Sequence, residues 1–98
     1  MKDSWIKSAA VIATHNNTNA KFVGTGYCHQ DCYDYIHNAY GIYAQTDKNY
    51  TAEEGFMLGN NTFISREDAL ELVHCTGQLK EEYKSTYRLC SYMLKYDR

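Results

Sequence analysis

Apolar and polar positions along the chain follow both helical and strand spacings, and they agree best with turn and capping chemistry between Gly55 and Leu79. Phe56, Met57 and Leu58 form a short apolar run, and Thr62, Phe63 and Ile64 form a second β-prone run. Between them Gly59, Asn60 and Asn61 tolerate positive φ, so the stretch predicts a hairpin. Ser65 then stands where an N-cap belongs, with Glu67 and Asp68 in the first turn, where carboxylates favour the positive end of a helix dipole. Ala69, Leu70, Leu72, Val73 and Thr76 share one broad face, which predicts a helix beginning at Arg66. It should run about twelve residues, a usual length, and stop where Gly77 takes the left-handed conformation.

Earlier in the chain, residues 5–14 are rich in small and β-branched side chains and predict a strand, although Ala9, Ala10 and Ala13 would also suit a helix. A turn cluster at 15–19 and an apolar return at 21–23 make an opening hairpin. Gly24 and Gly26 should break that second strand. Cys28, Cys32, Ile36 and Ala39 then recur at helical spacing up to Gly41, with Ile42 placed to pack back over the helix end. Residues 43–54 show no sustained period and read as a connecting loop with room for a strand fragment. Residues 80–85 read as a solvated connection, and the apolar positions of 88–96 should dock on the core as a short helix or strand. The element order ββα, ββα and a tail predicts one small α+β domain over residues 1–98, with antiparallel β-hairpins packed against two helices.

A chain of 98 residues buries roughly 60 to 65 per cent of its unfolded surface, a thin core to which oligomerisation would add stability. Ten basic residues against 12 acidic ones give a net charge of −2, so no global field attracts a long nucleic acid. A small ligand with one or two phosphates needs only a few cations and stays open. Ten tyrosines stand beside one tryptophan and three phenylalanines, and tyrosine joins a flat stacking face to a polar tip. Most of the ten are expected at the core and its rim. The first residues lack an apolar signal core and no run is long enough to cross a membrane, so no membrane partner and no export are expected. Asn16, Asn49 and Asn60 open Asn-x-Thr triplets, which then read as turn sequence.

Among possible chemical sites, Cys28 and Cys32 lie one helical turn apart, but no matching downstream pair completes a zinc pattern. Reduced, buried cysteines are the expectation, with no metal and no cofactor. A cysteine nucleophile could be assembled on paper from Cys28 or Cys75 and one of four histidines, yet spacing brings none of them together. Gly24-Thr25-Gly26 is half of a dinucleotide-binding loop, without the third glycine or the strand crossover. Phe56, Asn61, Arg66 and Arg88 form the group of most interest. An arginine fork grips phosphate bidentately, and a phenylalanine flanked by glycine can offer a face to a base, although Phe56 and Phe63 would serve equally as core.

Taken in order, the motifs resemble a family of small phage proteins, the Thoeris anti-defence proteins of the first described type. The likeness rests on Gly24 or Gly26 closing the first hairpin, His29-Gln30-Asp31-Cys32, Gly55-Phe56, Phe63, Arg66-Glu67-Asp68-Ala69, Gly77-Gln78 and Arg88-Leu89-Cys90-Ser91. It spans nearly the whole chain. The resemblance implies a sponge that binds cyclic ADP-ribose isomers without cleaving them and works in the cytoplasm of the infected bacterial host. It implies homodimers that assemble into hexamers, and in some members cyclic oligonucleotides held at separate sites. Phe56 would stack on the adenine, Arg88 would grip the diphosphate, and Asn61 and Arg66 would line the same pocket. Tyr27 and Cys28 replace basic residues frequent in the family, and Tyr92-Met93 replace acidic ones, which argues against a second phosphate cradle near the first helix. The alternatives are a small hydrolase that degrades a cyclic nucleotide signal and a protein that inhibits a host defence complex by direct binding.

Overall fold

Strand β1 (Ile6–His15) occupies the middle of the sheet, where small side chains let neighbours approach from every side. Ala9, Ala10, Val11 and Ala13 are all fully buried there. In the computed structural model, which describes residues 5–96, β2 (Lys21–Gly26) pairs with β1 on one side and β3 (Tyr50–Leu58) on the other. The short β4 (Phe63–Ser65) lies on the far side of β3, giving the order β2-β1-β3-β4 with every pairing antiparallel. Ala9 pairs with Gly26 and Phe56, Val11 with Gly24 and Glu54, and Ala13 with Phe22 and Ala52. The period of two therefore puts these residues on one face. Helices α1 (His29–Tyr40) and α2 (Arg66–Thr76) bring Cys32, Ile36, Ala69 and Val73 into the same core. The architecture is the expected α+β domain.

Two expectations about the strands are corrected. Gly24 and Gly26 continue β2 instead of breaking it. A Cβ at Gly24 would lie 2.3 Å from the Cys32 carbonyl oxygen, and one at Gly26 would lie 2.5 Å from the Asp31 Cβ. The glycines are there because α1 presses directly on the strand. Likewise β3 begins at Tyr50, inside the stretch read as a loop. Its inward positions Tyr50, Ala52, Glu54, Phe56 and Leu58 alternate properly, but Glu54 interrupts the apolar pattern because its carboxylate is partnered inside the fold.

The helix ends follow their local chemistry. Ser65 Oγ accepts from the Asp68 amide at 3.1 Å, and α1 and α2 stop at Gly41 and Gly77 with φ of 72° and 78°. Ile42 is buried behind the first of these stops. The tail is neither a regular helix nor a strand. Single 3-10 turns at Glu81–Tyr83 and Ser91–Met93 lead to one bridge between Leu79 and Leu94, which buries Leu89, Met93 and Leu94. Gln78, itself fully buried, ties this segment to the start of β1: its amide bonds the Ile6 backbone and also donates to the Lys95 carbonyl at 2.9 Å. No helix among the described residues is long and apolar enough to cross a membrane.

Candidate functional site

The N-termini of the two helices converge over β3. His29 opens α1 and Arg66 opens α2, and both reach the strand at Glu54 and Gly55. His29 Nε2 lies 2.8 Å from the Gly55 carbonyl oxygen, an atom that can only accept, so Nε2 carries the proton. Nδ1 is then the acceptor, and it takes a hydrogen bond of 2.8 Å from Arg66 Nη2. The imidazole is thus neutral and fixed at both nitrogens. Burial is the main cause holding its pKa below the ordinary 6.5; the Gly55 bond opposes this, the Arg66 charge lowers the pKa further, Glu54 opposes, and Arg88 adds a smaller lowering.

Glu54 shares the same guanidinium nitrogen with His29. Its Oε1 lies 3.5 Å from Arg66 Nη2, while its Oε2 accepts from the Tyr33 hydroxyl at 2.8 Å. Burial, then the bond to Glu54, hold the Tyr33 phenol well above its usual range. The Arg66 side chain is only 16% exposed, and its buried Nε has no hydrogen-bond partner among the described residues.

Arg88 arrives from the tail. Its backbone is fixed by Thr86, whose hydroxyl donates to the Arg88 carbonyl at 2.8 Å and accepts from the Arg88 amide at 3.3 Å, while the side chain is exposed. Arg66 and Arg88 line one cleft of about 350 Å³ together with Glu67, Leu70, Tyr87 and Leu89. Its size falls at the lower end of ligand pockets, which run from roughly 300 to 1,000 Å³. Tyr87 is 93% exposed and supplies a broad aromatic surface beside the two cations.

Of the residues singled out from sequence, Arg66 and Arg88 share this cleft, and the other two do not line it. Phe56 is fully buried, with its ring edge-on to His29 at a centroid distance of 5.2 Å. This corrects the expectation of a stacking face: the ring is core, packed beneath the histidine that holds Arg66. Asn61 sits at the tip of the β3–β4 turn with φ of 68°, and its Oδ1 accepts from the Lys7 ammonium. It is a turn residue and does not line the cleft. Sequence reasoning met His29 only within the family motif and as one of four candidate bases, and gave no role to Glu54 or Tyr87. The signals were present for two of them, since Tyr87 adjoins Arg88 and His29 opens a helix.

The half dinucleotide loop is likewise explained by packing, because the space beside Gly24 and Gly26 is filled by α1. Burial pushes the Cys32 thiol up to about 12, and Cys32 Sγ donates to the Cys28 carbonyl at 3.3 Å, so Cys32 behaves as a small core residue. Among the described residues, no three His, Cys, Asp or Glu side chains are grouped to hold a metal ion.

Fold and cleft together define a small α+β domain whose last segment closes an arginine-lined groove against the start of its second helix. A family model described as Phage T4 y16D protein matches residues 5–94, and the chain belongs to that family. It is a phage protein. Comparison with curated proteins finds no match, and neither does comparison with solved structures.

Proposed function

We propose that this phage protein captures cyclic ADP-ribose-type signalling nucleotides and holds them uncleaved, as an anti-defence sponge that keeps Thoeris immunity silent in the cytoplasm of the infected host. The observation that carries this reading is the meeting of Arg66 and Arg88, distant in sequence, in one cleft with an exposed tyrosine. The free fork of Arg88, with the charge of the partly buried Arg66 beside it, suits a diphosphate, and Tyr87 offers the base a stacking face that Phe56 does not.

Energetics favour closure by a second copy of the chain. Stacking a base contributes about 1 to 3 kcal/mol and each charge-assisted hydrogen bond about 1.5 to 3 kcal/mol, against about 12 kcal/mol for nanomolar capture. These groups also have to offset the entropy of association, so an open cleft on one protomer is insufficient. A homodimer, or a hexamer built from it, would enclose the ligand.

The state of His29 favours retention over hydrolysis at this site. Both ring nitrogens are engaged, which leaves no free nitrogen to take a proton from an attacking water. The direct-binding alternative draws support from Tyr27, Tyr35, Tyr40 and Tyr43, exposed along α1 and its flanks, because tyrosine is enriched at protein interfaces. Calorimetry against a panel of cyclic ADP-ribose isomers and cyclic dinucleotides, followed by denaturation and recovery of the ligand, separates the readings. Tight binding with intact ligand returned supports the sponge. Cleaved product points to a hydrolase, and absence of small-molecule binding with a stoichiometric host-protein complex points to direct inhibition.

A further inference from the structure

The cleft contains a charge that a simple phosphate site would not place there. Glu67, the second residue of α2, is exposed and lines the cleft with Arg66 and Arg88. Glu54 is paired with Arg66 and Tyr33, whereas the Glu67 carboxylate makes no hydrogen bond or ion pair with any described residue. An ionised carboxylate only accepts hydrogen bonds, so the ligand groups it can favour are hydroxyls and amines. A phosphomonoester, with roughly −1.5 to −2 charge at neutral pH, would meet like-charge repulsion at the same place. Ribose offers the complementary chemistry, since a carboxylate accepting from ribose hydroxyls is a standard way of telling a free sugar from a phosphorylated one.

We infer that Glu67 determines specificity in this cleft, accepting from a free ribose hydroxyl of a nucleotide whose diphosphate lies on Arg66 and Arg88 and rejecting ligands phosphorylated there. The inference rests on the nucleotide-capture reading. It selects within that class for sugars with free hydroxyls. The competing explanation for Glu67 is helix stability, since a carboxylate in the first turn favours the dipole, but Asp68 supplies the same effect one residue later.

The test is calorimetry of the wild-type protein and Glu67→Gln with cyclic ADP-ribose and with its 2′-phosphorylated analogue, alongside thermal melts of both proteins. The wild type is expected to prefer the unphosphorylated ligand by at least about tenfold, and Glu67→Gln to lose about tenfold for that ligand and to narrow the preference. The melting temperatures should stay close, because glutamine keeps the shape and helix propensity of the side chain. Equal wild-type affinity for the two ligands, or a preference unchanged by Glu67→Gln, overturns the role of Glu67 and leaves the capture reading standing. Failure of the wild type to bind these two ligands and every isomer of the panel overturns both.

Discussion

The side-chain amide of Gln78 satisfies both backbone polar groups of Ile6: Oε1 accepts from the Ile6 amide and Nε2 donates to the Ile6 carbonyl, each at 2.7 Å. A glutamine side chain thereby does what a neighbouring strand would do at the start of β1. Gln78→Leu keeps the volume but leaves two buried backbone groups unpaired, at a cost of about 2 to 4 kcal/mol. The melting temperature is expected to fall by roughly 8 to 32 °C, since one kcal/mol moves a domain of this size by roughly 4 to 8 °C. A shift of only a degree or two would show that the amide contributes little.

Phe56 and the cleft residues should separate cleanly into stability and binding. Phe56→Leu removes core volume and is expected to lower stability by about 1 to 2 kcal/mol while leaving nucleotide affinity nearly unchanged. Tyr87→Ala and Arg88→Ala touch exposed side chains and should cost no more than about 0.5 kcal/mol of stability. Each should weaken nucleotide binding by at least about tenfold. Urea denaturation paired with calorimetry reads both quantities, and loss of binding in Phe56→Leu at full folding would return that ring to the ligand.

Gly24→Ala is a direct test of the close contact between α1 and β2. The added Cβ falls 2.3 Å from a backbone oxygen and 2.7 Å from Ile36 Cγ1, so the helix has to lift off the strand. Overpacking of this kind costs about 1 to 3 kcal/mol. An unchanged denaturation midpoint would contradict the packing role assigned to the glycine.

Acid should destabilise the fold through His29. Its pKa is lowered in the native protein, so below the ordinary value of 6.5 the unfolded chain binds the proton more readily. The native state's advantage is complete above that value and is lost as pH falls through the folded pKa. Protonation would also turn Nδ1 into a donor facing the Arg66 guanidinium. Urea unfolding at pH 7.5 and pH 5.5 is expected to show a larger loss for the wild type than for His29→Gln, which does not titrate in this range. Parallel losses in the two proteins would exclude His29 as a source.

Features governed by local chemistry were legible in the sequence. Ser65 caps α2, Gly41 and Gly77 end the helices in the left-handed conformation, and β1 lies within one residue of its expected span. What depends on tertiary partners was not. Glu54 looked like loop polarity because Tyr33 and Arg66, which bury it, come from other elements. Phe56 could not be sorted between core and ligand wall, because a phenylalanine beside glycine suits either. Arg66 and Arg88 were both singled out on chemistry, and their meeting in one cleft depends on how the tail folds back. That return path has no hydrophobic period of its own, being made of 3-10 turns and a single β-bridge.

Because the Gln78 amide bonds the Lys95 carbonyl as well as the Ile6 backbone, the segment that forms one wall of the groove is moored to the sheet through a single side chain. A fluctuation that releases this one side chain would slacken the wall bearing Arg88 while the four strands stay paired.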